Sequence, residues 1–212
     1  MKQVAKKTAF VMAALGMFAG LVGSTAARAD DMGSTPWLVR VRMVDVNPQR
    51  SNGAGGGIPA DSLDVSSRVQ PEVDVSYFFT KNIAAELIAS YPFSHSVELN
   101  HGTIGTFQEL PPTLNLQYHF DGLGKYMPYV GAGIVDMQTF NTNIANGAYG
   151  LSQSNWGEDL QIGMDYALGG HWLFNVDVKK MFVNVGLTQN GGTVLNLHPD
   201  PYVMGVGIGY HF

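Results

Sequence analysis

The feature that most constrains this chain is a two-residue hydrophobic period that recurs eight times, without comparable helical spacing. Apolar side chains at every second position give an extended strand one oily and one polar face. In 37–46, Trp37, Val39, Val41 and Met43 alternate with a set that holds Arg40 and Arg42. In 71–79, Val73, Val75, Tyr77 and Phe79 oppose Glu72, Asp74 and Ser76. In 83–91, Ile83, Ala85, Leu87, Ala89 and Tyr91 oppose a set with Glu86 and Ser90. The pattern returns at 114–120 and 128–134, then at 160–166, where Asp159, Gln161 and Asp165 hold the polar parity. It continues at 172–178, against Asn175, Asp177 and Lys179, and closes at 202–212.

Segments of about ten residues match tilted strands that cross a bilayer. Connections 80–82, 121–125 and 167–170 are short, whereas those near 47–70, 92–110, 140–155 and 182–200 are long. Short turns on one side and long loops on the other are the layout of an outer-membrane barrel. An arginine on the lipid face near the midplane costs roughly 2–4 kcal/mol. Arg40 and Arg42 facing outward would together cost about as much as the net stability of a whole domain. The charged face therefore looks inward. Trp37, Phe79, Tyr91, Phe120, Trp172, Tyr210 and Phe212 are placed to form the interfacial aromatic girdles. A soluble barrel or sandwich would turn the charged face to water, but it explains neither the loop alternation nor the terminal aromatic. The expectation is an all-β fold, an eight-stranded antiparallel transmembrane β-barrel of the bacterial outer membrane, with short periplasmic turns and long extracellular loops.

The first 29 residues have the pattern of a secretory signal. Lys2, Lys6 and Lys7 precede an apolar run over 8–23, and Ala27-Arg28-Ala29 gives the small-x-small cleavage pattern. The run is shorter than the roughly 20 residues a spanning helix needs. Residues 1–29 are thus expected to leave by Sec-type export with cleavage near Ala29, and 30–212 to form a single barrel domain. Losing Lys2, Lys6, Lys7 and Arg28, four of 12 basic residues against 17 acidic ones, moves the formal net charge from −5 to −9. Such a chain lacks the basic surface that nucleic-acid binding requires. With no cysteine, it has neither disulfides nor thiolate metal sites.

Particular stretches resemble a known family, that of outer-membrane protein W (OmpW) of Gram-negative bacteria. They are PEVDVSYFFTKNIAAELIAS at 71–90, LPPTLNLQYHF at 110–120, PYVGAGI at 128–134, NVDVKK at 175–180 and DPYVMGVGIGYHF at 200–212. The likeness runs in order through nearly the whole mature chain and is weakest in the loops. The resemblance implies a narrow, largely hydrophobic internal passage that moves small hydrophobic compounds, with sideways release into the membrane. It brings no catalytic residues and no cofactor.

Threading the strands alternately up and down assigns inward residues to heights. Val44, Val46, Ile88, Val135, Met137, Met181 and Val203 fall near the long-loop end, as the expected apolar lining. Arg40, Arg42, Asp74, Glu86, Asp177 and Lys179 fall near mid-height as a charged belt. Leu38, Phe78, Leu173 and His211 form a floor. Eight strands enclose an interior that side chains can fill, so a wide water pore is not expected. Pro92, Pro111 and Pro112 lack the ladder donor, which suggests that the third and fourth strands part at their tops. Gly205, Gly207 and Gly209 on the last strand make room for side chains crossing the lumen. Tyr210 and Phe212 resemble the C-terminal signal that outer-membrane barrels present to their assembly machinery.

Other chemistry is weaker. Gly205-x-Gly207-x-Gly209 lacks the spacing and the following helix of a dinucleotide fingerprint. The six histidines show no metal-ligand spacing. Ser94, His95, Ser96 and Glu98 share one long loop, the arrangement a lipid-modifying barrel enzyme would need at its rim. That enzyme is the sharper alternative, and a structural or adhesive small barrel is the other. The glycine-rich stretch 52–59 reads as flexible surface. The expected partners are outer-membrane lipids, small hydrophobic compounds and the barrel-assembly machinery, and the extracellular loops are candidates for phage or bacteriocin docking.

Overall fold

The computed structural model describes residues 35–49 and 52–212. The expected leader at 1–29 lies outside them. Each alternating segment forms a strand, and eight long strands close into one ring. They are β1 (Trp37–Asn47), β3 (Arg68–Phe78), β4 (Ile83–Ser90), β7 (Thr113–His119), β8 (Tyr126–Ile144), β10 (Ser154–Gly169), β11 (Trp172–Val183) and β14 (Tyr202–His211). Every neighbouring pair is antiparallel, and β1 pairs with β14 from Leu38↔His211 to Asn47↔Tyr202 to seal the seam.

Burial follows the two-residue period. Along β11 every second residue from Leu173 to Val183 is buried, while Trp172, Phe174, Val176 and Val178 stand on the outside. The outer wall is apolar, with Val41, Leu116, Ile134, Ile162 and Ile208 each about half exposed. At the short-turn end, edge-on aromatic pairs Trp37–Tyr77, Tyr118–Phe120, Trp172–Tyr210 and Tyr210–Phe212 ring the outer surface. Tyr91 stands at the other end, 73% exposed. An apolar wall edged by aromatic side chains suits a bilayer, not water.

Above the ring, the long connections form a second storey of strands. β5 (Phe93–Leu99) and β6 (Gly102–Leu110) make a hairpin on top of β4 and β7, and β6 also pairs with the upper part of β8. β2 (Leu63–Val65) pairs with β5. β9 (Gly150–Leu151), β12 (Val185–Gln189) and β13 (Gly192–Leu197) form a separate three-stranded sheet. The stretch 52–59 differs from its expected flexibility. Asn52 donates to the carbonyls of Gly53 and Pro59, and Ile58 is buried in the cluster of Leu63, Val97, Phe107 and Leu195. Its glycines serve close approach as well as freedom, since a Cβ at Gly55 would sit 2.2 Å from the Val194 carbonyl oxygen.

The third and fourth barrel strands do not part at their tops as expected. The β4–β7 ladder runs to Ile88↔Thr113, lapses, and resumes at Phe93↔Glu109 between β5 and β6. Pro92, Pro111 and Pro112 flank this lapse, where their missing N–H groups cannot continue the ladder. The hydrogen-bond ladder thus lapses at this level and is paired again above it.

Candidate functional site: a charged belt beneath an apolar cleft

All six expected belt residues are buried, and they meet. Arg40 reaches across the lumen to Asp165, with Nε donating to Oδ1 at 3.0 Å and Nη2 to Oδ2, while Nη1 lies 3.0 Å from Asp74. Arg42 Nη2 sits 2.8 Å from Asp74, 2.9 Å from Glu72 and 3.3 Å from Glu86. Lys179 Nζ joins Glu72 at 2.9 Å and Asp177 at 3.1 Å. Glu72, Asp74, Glu86, Asp159, Asp165 and Asp177 thus outnumber the three cations. Neutral donors take up much of the remainder. Asn115 donates to Asp159 at 2.7 Å, Gln161 to Glu86 and Asp177 at 2.9 Å each, and the Tyr129 hydroxyl to Asp177 at 2.8 Å.

Seven of the eight barrel strands contribute to this network, and β14 contributes none. It supplies glycines instead. A Cβ at Gly207 would lie 2.1 Å from the Val41 carbonyl oxygen and 2.7 Å from the Arg42 Cα, and one at Gly209 would lie 3.1 Å from Arg40 Cγ. The closing strand is therefore thin where the two arginines must turn inward. Tyr129 crosses the lumen in the same way over Gly163, its register partner. Glu72, Asp159, Asp165 and Tyr129 were not assigned to the belt from sequence. Their signal is parity: Glu72 shares that of Asp74, Asp159 and Asp165 that of Gln161, and Tyr129 that of Val135 and Met137.

Beneath the belt, Leu38, Phe78, Ala84 and Leu173 pack as an apolar floor. His119 and His211 lie against Phe78 at 4.8 and 5.6 Å between ring centroids.

Of the seven residues expected to line an apolar space, six pack together. Val44, Val46, Val135, Met137, Met181 and Val203 form one buried cluster with Phe93, Val183 and Val185. Ile88 is buried outside that cluster, opposite Asp74 and Thr113. The larger space stands one layer higher than expected. A narrow apolar cleft with about 40 Å³ of free room is lined by Ile58, Leu63, Val97, Phe107, Met137, Ile144, Leu187, Leu197 and others of the second storey. Below it a crevice of only about 10 Å³ remains among Val46, Phe93, Pro111, Met137, Met181, Val203 and the belt's Glu72, so side chains largely fill this layer. Glu109, Met137 and Pro201 border both. The lower space abuts the lapse in the β4–β7 ladder through Pro111 and Thr113.

Ser94, His95, Ser96 and Glu98 do not converge. His95 points inward and its Nδ1 lies 2.6 Å from the Ser66 carbonyl oxygen, whereas Ser94 lies exposed and accepts from Gln108. The carboxylate beside His95 is Glu109, at 3.4 Å. Burial opposes charging His95, but this neighbour holds its pKa above the ordinary 6.5. Among the described residues, no cluster of histidine and carboxylates is arranged to hold a metal ion.

Removing one member of the belt strands its partners in a closed interior. Breaking a buried pair this way typically costs 3–5 kcal/mol. Arg42→Met is therefore expected to lower the unfolding free energy by about that much, read from urea unfolding in detergent micelles. Lys81→Ala, which removes a well-exposed partner of Asp121, is the control and should leave the midpoint nearly unchanged.

Comparison with known proteins agrees with this architecture. The sequence model of the OmpW family matches residues 34–212. The outer-membrane protein y4mB of Sinorhizobium fredii is 38% identical over 187 residues, covering 85% of this chain and 81% of its own. Outer membrane protein W of Salmonella typhi is 35% identical, over 96% of this chain and 99% of its own. The crystal structure of the outer membrane protein OprG from Pseudomonas aeruginosa superposes with a TM-score of 0.75 at 28% identity, covering 85% of this chain and 97% of that one. With the closed eight-stranded ring and its apolar outer wall, these place the molecule as an integral protein of the bacterial outer membrane, and the chain belongs to the OmpW family.

Proposed function

We propose that this barrel carries small hydrophobic molecules from the cell surface into the outer membrane, taking them up in the cleft and releasing them sideways above the belt. The observation that carries this reading is the stack of spaces. An apolar cleft stands at the long-loop end, a closely packed apolar layer with a small crevice lies under it, and the buried belt fills the lumen below. An apolar solute gains roughly 25 cal/mol for each Å² it takes out of water in such a cleft. Passing the belt would require parting Arg40, Arg42 and Lys179 from their carboxylates with nothing polar offered in return. The lapse between Ile88↔Thr113 and Phe93↔Glu109, flanked by prolines, offers an exit without that cost. In this reading Val46, Met137, Met181 and Val203 line the lower space. Val44, Ile88 and Val135 support it from below. In this reading the role is transport, and no catalytic residue is assigned.

The test is uptake of a fluorescent hydrophobic probe by proteoliposomes, with the lapse left open or bridged. The chain has no cysteine of its own, so Ser90→Cys and Pro112→Cys can be joined across the lapse by a short thiol cross-linker. Uptake should exceed that of protein-free liposomes, and bridging should return it to the protein-free level. A bridged barrel that transports as fast as the open one would exclude the sideways route. An unmodified barrel no faster than bare lipid would favour a plugged structural barrel.

We also assign Tyr210 and Phe212 to recognition during assembly. Both stand in the outer aromatic ring, and the Phe212 amide donates to the Trp37 carbonyl at 3.0 Å. Deleting Phe212 should reduce the amount inserted in cells severalfold, while protein refolded into detergent unfolds at nearly the unaltered urea concentration. Equal insertion of the shortened chain in cells would refute the assignment.

A further inference from the structure

Among the described residues, Glu109 is the one charged residue lining the apolar cleft, and it also borders the lower space. Its side chain is 7% exposed, and among the described residues its close partner is His95 Nε2 at 3.4 Å. His95 is fixed from its other side. Nδ1 lies 2.6 Å from the Ser66 carbonyl oxygen, so that nitrogen carries a proton and donates. Phe93 and Phe107 stack on the imidazole at 6.2 and 5.4 Å and hold the ring plane. The cation nearest on β3, Arg68, is turned to the Ser94 carbonyl instead.

A carboxylate accepts about four hydrogen bonds, and a buried one left short of donors is costly. The belt carboxylates are met by arginine, lysine and amide donors. Among the described residues Glu109 is met by a single imidazole, at the border of the cleft and the crevice below it. Nothing in the packing of the β5–β6 hairpin calls for a carboxylate there, where leucine would fill similar space among apolar neighbours. A ligand that brought its own donor would satisfy it.

We propose that Glu109, positioned by His95, is a specificity-determining acceptor, and that the cleft selects hydrophobic molecules carrying one hydrogen-bond donor, such as a hydroxyl or ammonium group. The apolar body lies among Ile58, Phe107, Met137 and Leu187, and the donor rests on the Glu109 carboxylate. This rests on the reading of the cleft as a binding site, and it adds which molecules the site prefers. Wholly apolar molecules still bind, but leave Glu109 unsatisfied and so bind less tightly.

The test compares naphthalene with 2-naphthol, two probes with the same apolar body, titrated by fluorescence onto the full-length protein in lipid nanodiscs. Empty nanodiscs supply the partition baseline for each probe. After that correction the unaltered protein should bind 2-naphthol about tenfold more tightly, the size of one hydrogen bond to a charged acceptor. Glu109→Leu should remove the preference while leaving naphthalene affinity unchanged or higher, and Glu109→Gln should give an intermediate ratio. The gel mobility of unheated against boiled samples reports whether each variant is folded, and Glu109→Gln alone carries the test if Glu109→Leu is not. Equal affinities in the unaltered protein, or a preference that survives both substitutions, would overturn the inference while leaving the cleft as a site. Absence of binding by either probe would overturn both.

Discussion

The structure depends on how two arginines on one strand are kept out of lipid. Arg40 and Arg42 sit two residues apart on β1, so both point the same way, and the bilayer leaves only the lumen for them. Inside, they need carboxylates from several directions, because a buried guanidinium with one partner is poorly satisfied. Asp74 and Glu72 come from the neighbouring strand β3, Glu86 from β4, Asp165 and Asp177 from the far wall on β10 and β11. Only a closed ring narrow enough for a side chain to reach across can bring these together. The belt thus makes closure and charge burial one requirement, and the glycines of β14 are the space it needs.

Function in this reading follows from what the belt forbids. A barrel of this width filled at mid-height by ion pairs offers an apolar solute no axial path, so its useful volume lies above. There the chain builds a second storey whose inward residues are Ile58, Leu63, Val97, Phe107, Leu187 and Leu195, without ion pairs of the belt's kind. The proline-flanked lapse in the ladder lies at the boundary between the storeys. On the proposed reading, this lapse in pairing beside the apolar cleft and over the belt would join surface access to a lateral exit. Glu109 and His95 stand at the same boundary as the polar exception within the cleft.

Much of the ring was legible in the sequence because parity is a local property. Lipid outside and a polar lumen inside impose opposite chemistry on alternate residues, so the eight strands and the inward direction of Arg40, Arg42, Asp74 and Glu86 could be read directly. Which partners meet was less legible. Asp165 joins Arg40 across 125 residues of chain through the stagger of the strands, which no single segment records. The second storey was harder still. β5 and β6 lack a lipid face, and in β5 the alternation is inverted, with Phe93 and Val97 buried inward and Ser94, Ser96 and Glu98 on the other face. Their inward face carries His95 and Glu109 among Phe93, Val97 and Phe107, and the sequence paired His95 with its loop neighbours Ser94, Ser96 and Glu98 instead. The apolar cleft stood higher than expected for a related reason. The residues placed at the top of the ring, Val44, Val135 and Met181 among them, pack against Phe93 as it descends from the hairpin.

The central claim is that hydrophobic molecules occupy the lumen only above the belt. It is tested most directly by photolabelling the barrel in native outer-membrane vesicles with a diazirine-bearing hydrophobic probe and mapping the modified residues by mass spectrometry. Lumenal label is expected at Phe93, Phe107, Pro111 and Met137, and at the lipid-facing edge of the lapse. Label on Leu38, Phe78 or Leu173, the inward residues below Arg40, would mean that solutes cross the belt and would contradict the claim.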